Sequence, residues 1–380
     1  MVWATHANAD PPKSRLEISG RHRVLHLYGT YYEMGRFQGE SLRAEVRASV
    51  RMLSGINNSS NEQKMETASL RRKRWVNNLP NRYREEMRGL ADGSGLPLDV
   101  VEFAQGNAYG GTQSSAMALL GSRTEGGHVL LAQSMSFTRF SEVVLVIYHP
   151  RDAYAYAMVT CPGCLDGLAG MNAKGIAITA NPAPNENIED ECFPAGFLVR
   201  ESLSQASTLT EATRFLERVQ PADCALFLVG CGSPSNARVI ERTTRLSAAF
   251  APADPAENAP TFWPLKDCLR RSVEYADPRL GSERRFFCGF YTHAMFECAR
   301  RSYLEMTRFV QSRAHGVAAG DILKWLRNLQ DAERNDYQVI FHPDKLDIWL
   351  ACALPGEAKE SGARFQDPRL IHLRALLIDQ

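Results

Sequence analysis

The 380-residue chain carries 44 basic against 43 acidic side chains, so it has no excess charge with which to hold a nucleic-acid backbone or an anionic membrane surface. Apolar residues at 44% and charged residues at 23% exclude a disordered or low-complexity chain and leave enough material for a large core. Nine cysteines, odd in number and scattered through apolar or mixed segments, fit reduced thiols in a cytoplasm better than a disulfide framework, and no apolar stretch is long enough to span a bilayer.

In chain order, the first twelve residues lack the basic start and apolar run of a signal peptide. Residues 14–28 alternate into a strand at 24–28, and Thr30 with Glu33 three residues on forms a capping box that starts a helix. That helix is expected to run through Leu53, break in the polar run 57–61 and resume over 62–77, where Arg71, Arg72, Lys73 and Arg74 read as a solvated face. A third helix over 80–91 leads into Asp92-Gly93-Ser94-Gly95-Leu96.

The stretch from Gly110 to Phe137 is hydroxyl-rich and bracketed by glycine pairs. Residues 115–120 and 128–132 read as two buried strands of a hairpin, with Ser114 where a glycine loop enters the first. That position suits a nucleophile. It also suits a hairpin whose hydroxyls satisfy backbone groups. Strand signals follow at 143–149 and 153–159, then come Cys161-Pro162-Gly163-Cys164 and a turn-rich run containing Asn172 and Asn181. A single Cys-x-x-Cys, without a second pair at zinc-finger spacing or a thioredoxin-like βαβ unit, is read as structural, and no metal site is expected. Two helices around 200–203 and 207–212, the second capped near Thr208 or Thr210, precede strands at 225–230 and 237–241. Strands, paired helices and strands again fit layered sheets. A helix over 299–306, another over 321–327 and a hairpin over 337–351 complete the pattern.

The run Ser114-Ser115-Ala116-Met117-Ala118-Leu119-Leu120-Gly121-Ser122-Arg123-Thr124-Glu125-Gly126-Gly127 resembles, without a gap, the nucleophile strand pair of the acyl-coenzyme A:6-aminopenicillanic acid acyltransferase family of N-terminal-nucleophile (Ntn) hydrolases, related to choloylglycine hydrolases. Further points of resemblance are Gly29-Thr30-Tyr31-Tyr32-Glu33-Met34-Gly35, the turn at 92–96, the run from Pro162 to Asn181, and the closing helix and hairpin; together they cover most of residues 20–352. The sequence departs from the family at four positions. Gln38 stands at a usual histidine, Gln113 at a usual glycine, Ser114 at the cysteine nucleophile, and Ser136 at the aspartate that orients the freed amine.

The resemblance implies an α+β fold, a four-layer αββα Ntn-hydrolase sandwich formed as a single domain over 1–380. If the chain is processed, residues 1–113 form a mostly helical α-chain-like segment and 114–380 the core. It also implies an acyltransferase or amidohydrolase acting on an amide or thioester through an acyl-enzyme on Ser114, in cytoplasmic secondary metabolism and without a cofactor. The partners would be a small-molecule acyl donor, such as an acyl-CoA or carrier-protein thioester, and an amine acceptor. Asn181 and Asn258 would serve the oxyanion, and Gln133, Ser136 and Arg301 would bind substrate. The alternative is a degenerate Ntn scaffold that binds an acyl ligand or a partner without covalent catalysis.

Overall fold

The computed structural model describes residues 13–19, 22–54, 76–105, 113–137, 142–183, 192–258, 262–282, 293–313, 315–329, 335–354 and 359–377. The polar run 57–61, the following helix as far as residue 75 and its basic cluster lie outside the described residues.

A nine-stranded sheet runs in the order β1 (Arg15–Ser19), β2 (His22–Tyr28), β5 (Val144–His149), β6 (Tyr156–Thr160), β7 (Ala169–Asn172), β8 (Ile176–Pro182), β9 (Ala225–Gly232), β10 (Ser235–Arg242) and β11 (Ser247–Phe250). The second sheet has six strands, in the order β12 (Cys268–Arg271), β3 (Gln113–Leu119), β4 (Leu130–Ser136), β13 (Tyr337–His342), β14 (Asp347–Cys352) and β15 (Arg369–His372). The central strands are apolar on both faces, as in the fully buried Val-Leu-Val-Ile-Tyr-His of β5, because one face meets the other sheet and the opposite face meets helices. All strand pairs within the sheets are antiparallel except β2 with β5. The first described residues belong to the larger sheet: β1 and β2 form one edge of it, and Arg369 of β15 bonds Glu17 of β1 across the sandwich at 2.8 Å.

Helices α5 (Ala195–Gln205) and α6 (Leu209–Arg218) cover the outer face of the larger sheet. Asn172 of β7 donates to the carbonyls of Leu203 and Ala206 at 2.8 and 2.7 Å, while its own side-chain oxygen closes the β7–β8 turn. Helices α8 (His293–Ser312) and α9 (Ala319–Asn328) cover the smaller sheet; Arg270 reaches Tyr303 of α8 at 2.6 Å, and Gln338 the Leu326 carbonyl of α9 at 2.8 Å. Helix, sheet, sheet, helix is the four-layer αββα order. Thr30 and Thr208 both form complete capping boxes, starting α1 (Tyr31–Ser41) and α6.

The helix expected to run unbroken to Leu53 is two helices, α1 and α2 (Arg43–Ser54). Leu42 leaves helical geometry at φ −121° and turns its side chain into the core. Helix α3 (Asn81–Ser94) packs on α1 backbone to backbone: a Cβ at Gly35 would lie 2.0 Å from the Glu86 carbonyl, and one at Gly89 2.0 Å from that of Tyr32. This approach presses Glu86 fully into the interior, where Arg200 of α5 meets it at 2.7 Å.

Asp166 lies against the start of α5 and is fully buried. Burial pushes its carboxyl up to about 7, and the nearby Asp223 acts in the same direction. A folded state that keeps a proton which the unfolded chain releases near its ordinary value loses stability as pH rises between those two values. Asp166→Asn is expected to remove that slope, so wild type should lose stability relative to the variant progressively from about pH 4 to about pH 7. Parallel melting curves across that range would refute the assignment.

Candidate active site

Paired residues on antiparallel strands share a face, and successive residues alternate faces. In the smaller sheet Ser114 pairs with Met135 and Met135 with Tyr337; one row further in, Arg271 pairs with Ala116, Ala116 with Gln133 and Gln133 with Val339. Gln133 donates from Nε2 to the Ala180 carbonyl at 2.8 Å and to Asn181 Oδ1 at 2.9 Å, both on β8 of the other sheet. The face carrying Ser114, Gln133, Tyr337 and Arg271 therefore looks into the layer between the sheets.

Ser114 is 2% exposed, and its Oγ has no hydrogen-bond partner among the described residues. The last β12–β3 pair is Arg271 with Ala116, whereas β4 follows β3 back to Gln113. Among the described residues, the Ser114 end of β3 is thus flanked by a strand on the β4 side only.

A hydrogen-bond chain crosses both sheets beside it. Tyr337 donates its hydroxyl to Gln133 Oε1 at 2.8 Å, Gln133 donates to Asn181 Oδ1, and Asn181 Nδ2 donates to the carbonyls of Arg271 and Ser272, both at 3.0 Å. Gln133 and Asn181 are fully buried, and the oxygen and nitrogen of both side-chain amides are hydrogen-bonded. Backbone carbonyls can only accept, which fixes the orientation of both amides.

Ser114, Gln133 and Asn181 are brought to one layer; Ser136, Asn258 and Arg301 are not. Ser136 pairs with Gln113, one residue out of step with Ser114, and faces away from the larger sheet. Asn258 is exposed in the loop after β11, and its neighbour Glu257 is the residue that enters the interior. Arg301 lies on the exposed face of α8, outside the smaller sheet. Tyr337, Arg271, Glu241 and Glu257 had not been singled out. Arg271 bonds Glu241 Oε1 through Nε at 2.7 Å and pairs with Glu257 through Nη1, all three side chains being fully buried. The one sequence signal for them was the charge-rich Arg270-Arg271 beside the apolar Cys268-Leu269, a strand pattern that would bury at least one guanidinium.

The Cys161–Cys164 turn is closed by the Cys164 amide on the Cys161 carbonyl at 3.0 Å and gripped by Gln105, which donates to Gly163 O and accepts from Leu165 N, each at 2.9 Å. The hydrogen bond with Cys161, together with burial, holds the Cys164 thiol well above its ordinary range, and both cysteines are buried. No cluster of three or more metal-binding side chains occurs among the described residues, and no described helix is long and apolar enough to cross a membrane.

The family model described as "Acyl-coenzyme A:6-aminopenicillanic acid acyl-transferase" matches residues 136–248, from the end of β4 into β11; the strand carrying Ser114 lies before the match. An uncharacterized protein from Archaeoglobus fulgidus is 25% identical over 263 residues, 59% of this chain and 43% of its own length. Protein dcd1B from Dictyostelium discoideum is 21% identical over 270 residues, 62% of this chain and 53% of its own. The chain thus spans about half the length of these curated relatives. Among solved structures, a Caenorhabditis elegans ortholog of N-acylethanolamine-hydrolyzing acid amidase aligns at 12% identity and TM-score 0.45, over 68% of this chain and 99% of that one. A mutant conjugated bile acid hydrolase from Clostridium perfringens aligns at 14% and 0.43, over 69% and 93%. The segment matched by that family model forms the larger sheet from β5 onward, and over it the chain is similar to the acyl-coenzyme A:6-aminopenicillanic acid acyl-transferase family.

Proposed function

We propose that the protein is an Ntn-type acyltransferase or amidohydrolase that forms an acyl-enzyme on Ser114 after the Gln113–Ser114 peptide bond is cut. The observation that carries this reading is the Ser114 hydroxyl, buried without a hydrogen-bond partner among the described residues, on the inter-sheet face beside the Gln133–Asn181 amides. A serine that only satisfied backbone groups would have such a partner.

Cutting frees the Ser114 α-amine, whose ordinary pKa near 8 lets it accept the Oγ proton at neutral pH. Oγ then attacks the carbonyl carbon of an amide or thioester. The tetrahedral intermediate places its negative oxygen toward an amide donor, Asn181 being the candidate. Collapse expels the amine or thiol with the proton held by the α-ammonium, and an incoming amine or water repeats the steps in reverse order. The substrates are a small-molecule acyl donor, with an acyl-CoA or carrier-protein thioester as one class, and an amine acceptor, in cytoplasmic secondary metabolism. Residues 1–113 and 114–380 become the two chains of one folded unit.

Intact-mass measurement on purified protein tests the first step. Two fragments meeting at 113/114 are expected, and a single uncut chain that takes up no acyl group under any donor excludes the covalent mechanism. The second reading, a scaffold that binds an acyl ligand without covalent chemistry, is favoured by Ser136. The family's orienting aspartate is a hydroxyl here, on the outer face, and this leaves a freed amine without that carboxylate.

A further inference from the structure

We infer that Arg271 is a positioning residue for the acyl oxygen, acting through its own backbone carbonyl on the Asn181 amide; the catalytic part of this inference rests on the acyl-enzyme reading above. Asn181 Nδ2 has two N–H bonds, and both are spent, on the carbonyls of Arg271 and Ser272. An acyl oxygen can use this donor only by taking the place of one of those carbonyls. What holds them there therefore sets how readily the donor is released.

Consecutive carbonyls of a strand normally point opposite ways. These two converge on one nitrogen because β12 ends at Arg271 and the chain turns away from β3 instead of continuing beside Ser115 and Ser114. The turn is stapled at both ends by a single carboxylate. Glu241 accepts Arg271 Nε at 2.7 Å on one side, and on the other the amides of Ala276, at 2.9 and 3.1 Å, and Asp277, at 3.0 Å. Glu257 holds the other arm of the guanidinium, Nη1 also bonds the Arg270 carbonyl at 2.6 Å, and the rings of Phe250 and Phe262 lie 5.1 and 5.6 Å from its central carbon. Residues 271–276 thus form a short loop closed on Glu241, with the two carbonyls that occupy Asn181 at its start. Glu257 is the adjustable part: removing its charge loosens Arg271 while the Glu241 staple stays intact.

The test is Glu257→Gln, with Arg271→Lys as the second variant, read by hydrogen exchange of the Asn181 side-chain amide and by the rate of acyl-enzyme formation. The amide resonance is identified as the one lost in Asn181→Asp. The expected result for folded Glu257→Gln is exchange at least about tenfold faster and kcat for acylation raised about threefold or more at unchanged KM, because a donor used only by the oxyanion acts on the transition state. Should Glu257→Gln not fold, Arg271→Lys is expected to show the same faster exchange. Unchanged exchange in a folded variant, or an effect confined to KM, overturns the inference. If wild type and variants alike form no acyl-enzyme, the Ser114 reading fails, and amide exchange alone decides whether Arg271 governs Asn181.

Discussion

Ser114→Ala is expected to leave a folded chain that neither cuts itself before residue 114 nor traps an acyl group, a loss of at least about a thousandfold in any acyl-transfer rate. The fold should survive because the Ser114 hydroxyl has no partner to lose among the described residues; removing a buried, unsatisfied oxygen costs less than about 1 kcal/mol and can stabilise. The chemistry should not survive. Ser115 faces the opposite side of β3, toward the helices over the smaller sheet, so it cannot stand in for Ser114. Ser114→Cys should retain or raise the rate, since a thiol is the better nucleophile at neutral pH. Ser136→Asp, the change that would restore the family residue, should add nothing, because its carboxylate would emerge beside Gln113 on the outer face. The measurement is intact mass before and after exposure to a thioester donor. Wild-type levels of trapped acyl group in Ser114→Ala would move the nucleophile elsewhere.

The layers of the fold were legible because their signals are local. The two threonine capping boxes, the glycine-bounded hairpin and the apolar β5 each declare themselves within a dozen residues, and their order implies sheets between helix layers. That Ser114, Gln133 and Asn181 stand on strands was legible for the same reason, since each lies inside a recognisable run. Ser136 was misplaced by a single residue. The β3–β4 register pairs 114 with 135, and that offset is set by the compact turns at 121–127, whose geometry is not written in the hydrophobic pattern. Asn258 and Arg301 were chosen from loosely matched segments, and the structure gives their expected depth to other residues. Glu257, one position earlier, turns inward because Arg271 is there to receive it. Arg271, Glu241 and Tyr337 meet partners drawn from strands far apart in the chain. In sequence a charged residue reads as solvated, and only the pairing of the two sheets shows that it is not.

Arg200→Met is expected to lower stability by about 3–5 kcal/mol. Arg200 is fully buried and spends its guanidinium on three partners: Nε on the Tyr156 hydroxyl at 2.7 Å, Nη1 on the Leu165 carbonyl at 2.6 Å, and Nη2 on Glu86 at 2.7 Å. Its central carbon also lies 4.2 Å from the centre of the Tyr148 ring and 4.7 Å from that of Tyr83. Methionine fills much of the volume and keeps the ring contacts, but it leaves Glu86 in the interior without its cation. Burial already pushes the Glu86 carboxyl upward, and Arg200 is what opposes it. Without Arg200 the folded state takes up a proton that the unfolded chain gives up at lower pH, so the deficit of the variant should be smallest in acid and grow as pH rises through the neutral range. Arg200→Met combined with Glu86→Leu should recover most of the loss, because a well-packed apolar pair removes both the charge and its desolvation cost. Urea unfolding midpoints of wild type, Arg200→Met and the double variant, at two pH values, check this: equal deficits at both pH values, or a double variant no better than Arg200→Met alone, would mean that the tyrosine cage rather than the ion pair holds α3 and α5 to the sheet.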